Sequence, residues 1–240
     1  MPPPRPCISV IIPVWQEMET ICGALDYIEQ IGRNSSYEVV VVDGDRQGST
    51  IATIQSNPKW SDNSSIQCLI SSKKGRANQM NYGAERAIAP VLLFLHADTK
   101  LPSNAFQKII TVFRRSPHIT AGAFDLSIDS PRWIFRVIGK VSSWRSRLTR
   151  IPYGDQGIFI RRETFEAVGG FANVPLMEDV ILMRSLKKRH MKIVFIGEPV
   201  VTSARRWERE GIIQCTLRNW CLIILYYLGA APNFLAKFYR

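Results

Sequence analysis

The chain has 240 residues, enough to bury one sizeable core, and a composition of 46% hydrophobic and 21% charged residues excludes a disordered chain and a polytopic membrane protein. Lys and Arg number 31 against 20 Asp and Glu, and the resulting +11 favours anionic partners such as nucleotide diphosphates, acidic lipid headgroups or nucleic acid. Five cysteines (Cys7, Cys22, Cys68, Cys215, Cys221) stand singly, and the opening MPPPRP lacks the order of a secretory signal, so reduced thiols in a cytoplasmic protein are expected.

Short β-branched runs alternate with helical patterns along the first hundred residues. Strands are predicted at Ile8–Val14, Tyr37–Asp43, Ile66–Ile70 and Val91–His96, with helices at Glu17–Ile31, Thr50–Ser56 and Arg76–Ala87 between them. VVVV and VLLFL are apolar on both faces, as strands covered by helices on both sides require. The expected fold is therefore α/β, a doubly wound, mostly parallel central sheet flanked by helices. Beyond residue 103 the pattern loosens. A helix at about Asn104–Arg115, a strand at about Thr120–Ile128, a basic aromatic stretch to Arg150, a strand at Gly157–Arg161, a helix at Asp179–His190 and a strand at Lys192–Ile196 are expected, then an extended segment and an apolar helix from about Ile212. No repeat or linker marks a second domain.

In doubly wound sheets, ligands bind beyond the carboxyl ends of the strands, which directs attention to Pro13–Glu17, Asp43–Gly48, Ser72–Arg76 and His96–Thr99. Asp43 ends the VVVV strand, where a carboxylate either holds a nucleoside or closes a turn. The run Lys73–Arg76 places cations, Gly75 and a helix start together, which suits a diphosphate; it lacks P-loop spacing, so an ATPase is excluded. Asp98 follows a buried strand, where an acid can ligate Mg²⁺ or Mn²⁺ while substrate phosphates supply further oxygens; His96 beside it is read as structural in preference to a ligand. Glu178 and Asp179 open a helical pattern, where acids serve as caps or as a catalytic base.

In order and kind, these segments resemble family 2 of the nucleotide-sugar glycosyltransferases, whose fold is the GT-A type. ISVIIPVWQE resembles the opening strand and turn, VVVVDGDRQGST the nucleoside segment and GRANQMNYGAERA the following helix; LFLHADT stands in the place of the metal-binding D-x-D, and GGFANVPLMED matches the segment that delivers the base. The likeness runs over about residues 7–210, most similar to a small bacterial branch with His-Ala-Asp for Asp-x-Asp and Tyr-Gly-Asp-Gln at Tyr153–Gln156. It implies a catalytic domain over 7–210 and a C-terminal helix over 211–240. It implies an inverting enzyme that takes a nucleotide-sugar and a divalent metal. Pro13, Glu17, Asp43 and Asp45 would line the nucleoside pocket, Gly75 and Arg76 would sit by the base or phosphates, and Asp98 would bind the metal. Asp179 would be the base, with Asp155, Gln156 and Glu178 near the acceptor. Arg206 and Trp207 are similar to the end of the Q-x-x-R-W motif, with Ser203 in place of its Gln, which implies single rather than processive transfer. His96 replaces the first Asp of D-x-D, and Arg46, Gly48 and Ser49 replace the usual Ser, Asp and Gly, so neither metal strength nor nucleotide identity carries over.

The apolar run Trp220–Pro232 spans about 13 residues, short of the ~20 that cross a bilayer. With Tyr226, Tyr227, Lys237, Tyr239 and Arg240 it suits a core position, a homodimer contact or a peripheral anchor at the inner face of the cell membrane. The acceptor is expected to be a small molecule or lipid-like. Two rival readings are a sugar nucleotidyltransferase, which would carry a glycine-rich basic signature where Pro13–Glu17 stands, and a non-catalytic nucleotide-sugar- or lipid-binding module. No nucleic-acid module is recognisable, so nucleic acid is not an expected partner.

Overall fold

The computed structural model describes residues 5–239; Met1–Pro4 and Arg240, both touched by the sequence reading, lie outside them. Strands β1 (Ile8–Val14), β2 (Tyr37–Asp43) and β3 (Ile66–Ile70) fall where their β-branched runs predict, separated by α1 (Ile21–Gly32) and α2 (Ser49–Ser56). After α3 (Arg76–Arg86) come β4 (Val91–Phe94) and the short β5 (Thr99–Lys100). Helix α1 starts four residues later than expected. Gln16 has φ 54°, and the Glu17 carbonyl accepts from both Thr20 and Ile21, so 17–20 form a turn. Strand β4 stops at Phe94 because the chain turns at His96, whose carbonyl accepts from Thr99 N–H.

The second half comprises α4 (Ala105–Arg115), β6 (Ile119–Asp129), α5 (Trp133–Thr149), β7 (Ile158–Arg161), α6 (Arg162–Ala167), α7 (Glu178–Lys188) and β8 (Lys192–Ser203), then α8 (Arg205–Glu210), α9 (Ile212–Tyr227) and α10 (Pro232–Leu235). The basic aromatic stretch is thus a helix, α5, and the expected extended segment after Ile196 is the continuation of β8, paired with β6 to Ser203.

One eight-stranded sheet runs β3-β2-β1-β4-β7-β6-β8-β5. Its β3-β2-β1-β4 half is parallel, β7 is antiparallel to β4 and β6, and β6 and β8 are parallel again. Strand order reverses at β1, which lies between β2 and β4, and this is where a crevice opens in doubly wound sheets. Apolar residues of β1 alternate between the two faces: Ile8, Val10 and Ile12 pack with α1 and α4, and Ile11 packs with α3 and α7. At Gly83 of α3 an added Cβ would lie 2.7 Å from Ile11 Cγ2 and 3.0 Å from Val42 Cγ2, so only glycine lets the helix sit this close to β1 and β2. The C-terminal segment shares this core, with Leu222 of α9 and Leu235 of α10 buried in the same cluster as Ile11 and Phe94.

Candidate active site

The carboxyl ends of β1, β2 and β4 carry a connected polar rim. Asp43 is fully buried, and its two oxygens accept from the N–H groups of Asp45 at 2.9 Å and Thr50 at 3.0 Å. The Thr50 hydroxyl accepts from Glu17 N–H at 3.2 Å. Glu17 receives the Thr20 hydroxyl on one oxygen at 2.7 Å and Arg205 on the other at 3.1 Å. The same Arg205 nitrogen is 4.0 Å from Asp98 Oδ2. Asp45 lies one step outward, where its oxygens accept from Gln47 N–H and the Ser49 hydroxyl, both at 3.1 Å, and close the turn into α2. Pro13 pairs in register with Val42, and Gln79 Nε2 donates to Val14 O and Val42 O at 2.7 and 2.8 Å, tying both strand ends to α3.

Gly75, at φ 108°, starts α3 and turns Arg76 inward. Arg76 Nε donates to Oε1 of Glu178, which is 2% exposed, and Arg76 Nη1 lies 3.4 Å from His96 Nε2. Burial first, and the Arg76 charge second, push the His96 imidazole down to about 3, so it is neutral at physiological pH. Its Nε2 is turned towards the guanidinium. Asp98 is different. It lines a cavity of about 540 Å³, with Arg205 4.0 Å from its Oδ2 and the Thr99 hydroxyl 3.5 Å from its Oδ1. Burial and Glu17 raise its pKa against the pull of Arg205.

The cavity runs from Arg76, His96 and Asp98 to Gly154, Asp155 and Asp179, and on to Trp207 and α9. Asp179 is fixed from two sides, its Oδ2 accepting from Gly154 N–H at 2.6 Å and its Oδ1 from Val180 N–H at 2.7 Å. One oxygen thus meets the first turn of α7 and the other anchors the 154 turn, while the N-cap position of α7 is Met177, with no side-chain cap. A Cβ on Gly154 would come within 3.4 Å of both Asp179 Oδ2 and His96 Nε2, so the turn also separates acid from imidazole. Burial, then Glu178, raises the Asp179 pKa against Arg76 and its two N–H donors. Burial, then Asp179, pushes Asp155 up to about 6 against Arg145 and Arg76.

Not every expected acceptor residue meets the cavity. Gln156 is fully buried and spent on structure: Oε1 accepts from the Ser146 hydroxyl at 2.6 Å and from Tyr153 N–H at 3.1 Å, and Nε2 donates to Phe124 O at 2.9 Å. It holds the turn that carries Asp155. Glu178 faces Arg76. Arg206 lines the cavity but is tied back to Glu210 and Tyr239, with its guanidinium 4.0 Å from the Tyr239 ring centroid. Trp207 packs edge-on against Phe135 at 6.0 Å.

Sequence reasoning missed Arg205, Gln79, Thr216 and Asn219. A buried Gln one turn after Gly75 was a usable signal; the others depend on long-range folding. Among the described residues, four buried polar atoms on residues that line the cavity lack a hydrogen-bond partner: Asp155 Oδ1, Trp207 Nε1, Thr216 Oγ1 and Asn219 Oδ1.

Residues 9–172 match the Glycosyl transferase family 2 model. No curated protein matches the sequence. Among solved structures, the chain is similar to mannosyltransferase PcManGT from Pyrobaculum calidifontis, solved with GDP-Man and Mn²⁺, at 20% identity and a TM-score of 0.61, covering 98% of this chain and 70% of that one. It is also similar to S. aureus TarS 1-349 in complex with UDP-GlcNAc, at 14% identity and a TM-score of 0.62, covering 82% of this chain and 58% of that one. Both likenesses are of fold, and this chain spans well under two thirds of TarS 1-349. The family match covers more than half of the sequence and includes the rim from Glu17 to Asp98. The chain belongs to glycosyl transferase family 2 and is a glycosyltransferase with the GT-A fold.

Proposed function

We propose that the chain catalyses a single, inverting transfer of a sugar from a nucleotide-sugar to a hydroxyl acceptor, with Asp98 on the donor side and Asp179 as general base. The observation that carries this reading is that both carboxylates line one cavity, Asp98 at the strand-end rim and Asp179 on the backbone N–H groups of Gly154 and Val180. In the displacement, the acceptor O–H would give its proton to Asp179 while its oxygen bonds to the anomeric carbon. The bond from that carbon to the diphosphate oxygen breaks, and the electron pair leaves with the diphosphate. Arg76 and Arg205 supply positive charge on the donor side, where negative charge grows.

The residues fit a divalent metal only in part. Among the described residues no group of three or more His, Cys, Asp or Glu could hold an ion alone. Asp98 offers one hard oxygen ligand to an open cavity, which suits Mg²⁺ or Mn²⁺ completed by diphosphate oxygens and water. When bound there, the ion would neutralise charge on the departing diphosphate.

The structures solved with GDP-Man and UDP-GlcNAc support a nucleotide-sugar donor and name the first compounds to try. A thermal-shift screen of GDP-Man, UDP-GlcNAc and further nucleotide-sugars, each with Mn²⁺ or Mg²⁺, tests the reading, since a ligand of the native state raises Tm. A shift with one donor, dependent on metal and lost in Asp98→Ala, is expected. No shift with any donor would remove the transferase assignment of this cavity. A second reading makes Asp155 the base, favoured by its place in the same cavity and by a pKa that burial and Asp179 push up to about 6.

A further inference from the structure

Two helices border the mouth of the cavity, and each exposes an unpartnered apolar stripe. On α5, Trp133, Val137, Val141, Trp144 and Leu148 are all exposed, and at about 100° per residue they fall within about 80° of one helix face. On α9 and its C-cap, Ile213, Leu217, Trp220, Ile224 and Leu228 repeat the pattern, also exposed. The cavity joins the stripes, because Val141 and Trp144 line it from α5 and Trp220 and Ile224 from α9. Its apolar wall therefore continues onto both outer faces, while its lining also includes the polar residues Asp155, Asp179, Thr216 and Asn219. A ligand that fits has a polar, hydroxyl-bearing head and an apolar body.

The occupant of the outer faces follows from charge and chemistry. By helical phase, Arg136 and Lys140 flank the α5 stripe; both are exposed and neither has a carboxylate partner among the described residues. The chain carries +11 overall. A second copy laid on the same faces would bring these cations towards each other and close the cavity mouth. An anionic bilayer complements them and leaves the mouth open to lipid. Tryptophans at the stripe edges are the side chains that settle at the headgroup level. No described helix is long and apolar enough to cross a membrane, and α9 has 16 residues, so these helices would lie in the interface plane.

We propose that the α5 and α9 stripes seat the protein on an anionic lipid bilayer, and that the cavity takes its acceptor, a hydroxyl-headed amphiphile, from that bilayer. The inference deepens the transferase reading and rests on it for the acceptor's role. The test uses the full chain with vesicles of phosphatidylcholine, with and without phosphatidylglycerol. Co-flotation with the mixed vesicles, weakened by salt, is expected, together with quenching of tryptophan fluorescence by brominated acyl chains. The variant W133S/L148S/I213S/L217S changes only residues outside the cavity, and should reduce vesicle binding by about tenfold or more, given the apolar area removed, while keeping the wild-type thermal shift with a nucleotide-sugar. A terminally brominated undecanol should quench wild-type fluorescence saturably.

Wild-type protein that stays in the bottom fraction without acyl-chain quenching would overturn the docking, as would a dimer in light scattering that the same variant dissolves. Vesicle binding without saturable quenching by the brominated alcohol would overturn the acceptor class. Docking that persists while no nucleotide-sugar shifts Tm would sink the transferase reading alone.

Discussion

The strand-end rim and the cavity beside it treat their acids in opposite ways. On the rim, the carboxylates close local turns: Asp43 binds N–H groups two and seven residues ahead, and Asp45 binds Gln47 and Ser49. In the cavity, Asp179 is held by Gly154, twenty-five positions away, while Asp155 keeps a buried oxygen with no partner among the described residues. The first arrangement builds a rigid rim from short-range chemistry. The second leaves desolvated charge unbalanced, which is how a fold keeps a proton acceptor responsive at a site of chemistry. Asp98 stands between these regimes, at the rim and lining the cavity, with Arg205 4.0 Å from its Oδ2.

Substitutions can break this contrast, and their expected effects fall in order. Asp179→Asn should lower turnover by ~10²-fold or more with donor affinity retained by calorimetry; equal loss of both would move Asp179 to the donor side. Arg76→Ala strips the charge partner from buried Glu178 and should lower Tm, by less than the ~3–5 kcal/mol that breaking a fully buried pair costs, because the Arg76 side chain is 35% exposed. Glu178→Gln should be the milder change, and an unaltered Tm in Arg76→Ala would show that Glu178 is stabilised by other means. Arg205→Ala should raise donor KM by about tenfold, the value of roughly one charge-assisted contact, with kcat less affected; a kcat effect alone would argue for a role in catalysis.

The smallest effect concerns pH. Asp155 has a folded pKa pushed up to about 6, above its unfolded value of about 3.9, so the folded state holds the proton more tightly. Its contribution favours folding at low pH and declines as pH rises from about 3.9 to about 6. Asp155→Asn should therefore raise Tm by a few degrees at neutral pH, and the gain should vanish below the unfolded pKa. The same substitution should shift the acidic limb of the kcat/KM profile downward, because removing one of two neighbouring carboxylates lowers the pKa of the other. A limb that stays in place would mean the two acids titrate independently.

The same contrast governs what the sequence revealed. Strands β1, β2 and β3 fall at their expected residues because continuous β-branched runs bounded by turn residues carry their own limits. The positions of Glu17, Asp43 and Asp98 at or just beyond strand ends followed from that alternation alone. The long-range pairings did not. Arg205 and Glu17 lie 188 positions apart and Arg76 and Glu178 lie 102 apart, and no local pattern encodes either pairing. Helix α5 was unread because its buried positions include Gly139, Ser143 and Ser146, while its larger apolar residues face outward, the reverse of the usual core-facing stripe. Gln156, expected beside the acceptor, serves instead to hold the turn next to it, a role visible only once Ser146 and Phe124 are brought near.

The division of labour within the cavity is tested most directly by comparing Asp179→Asn with Asp155→Asn, measuring donor binding by calorimetry and nucleoside diphosphate release in the presence of acceptor on each protein. The expected result is unchanged donor affinity in both, with release lowered by ~10²-fold or more only in Asp179→Asn. Release abolished in Asp155→Asn and retained in Asp179→Asn would contradict the assignment and make Asp155 the base.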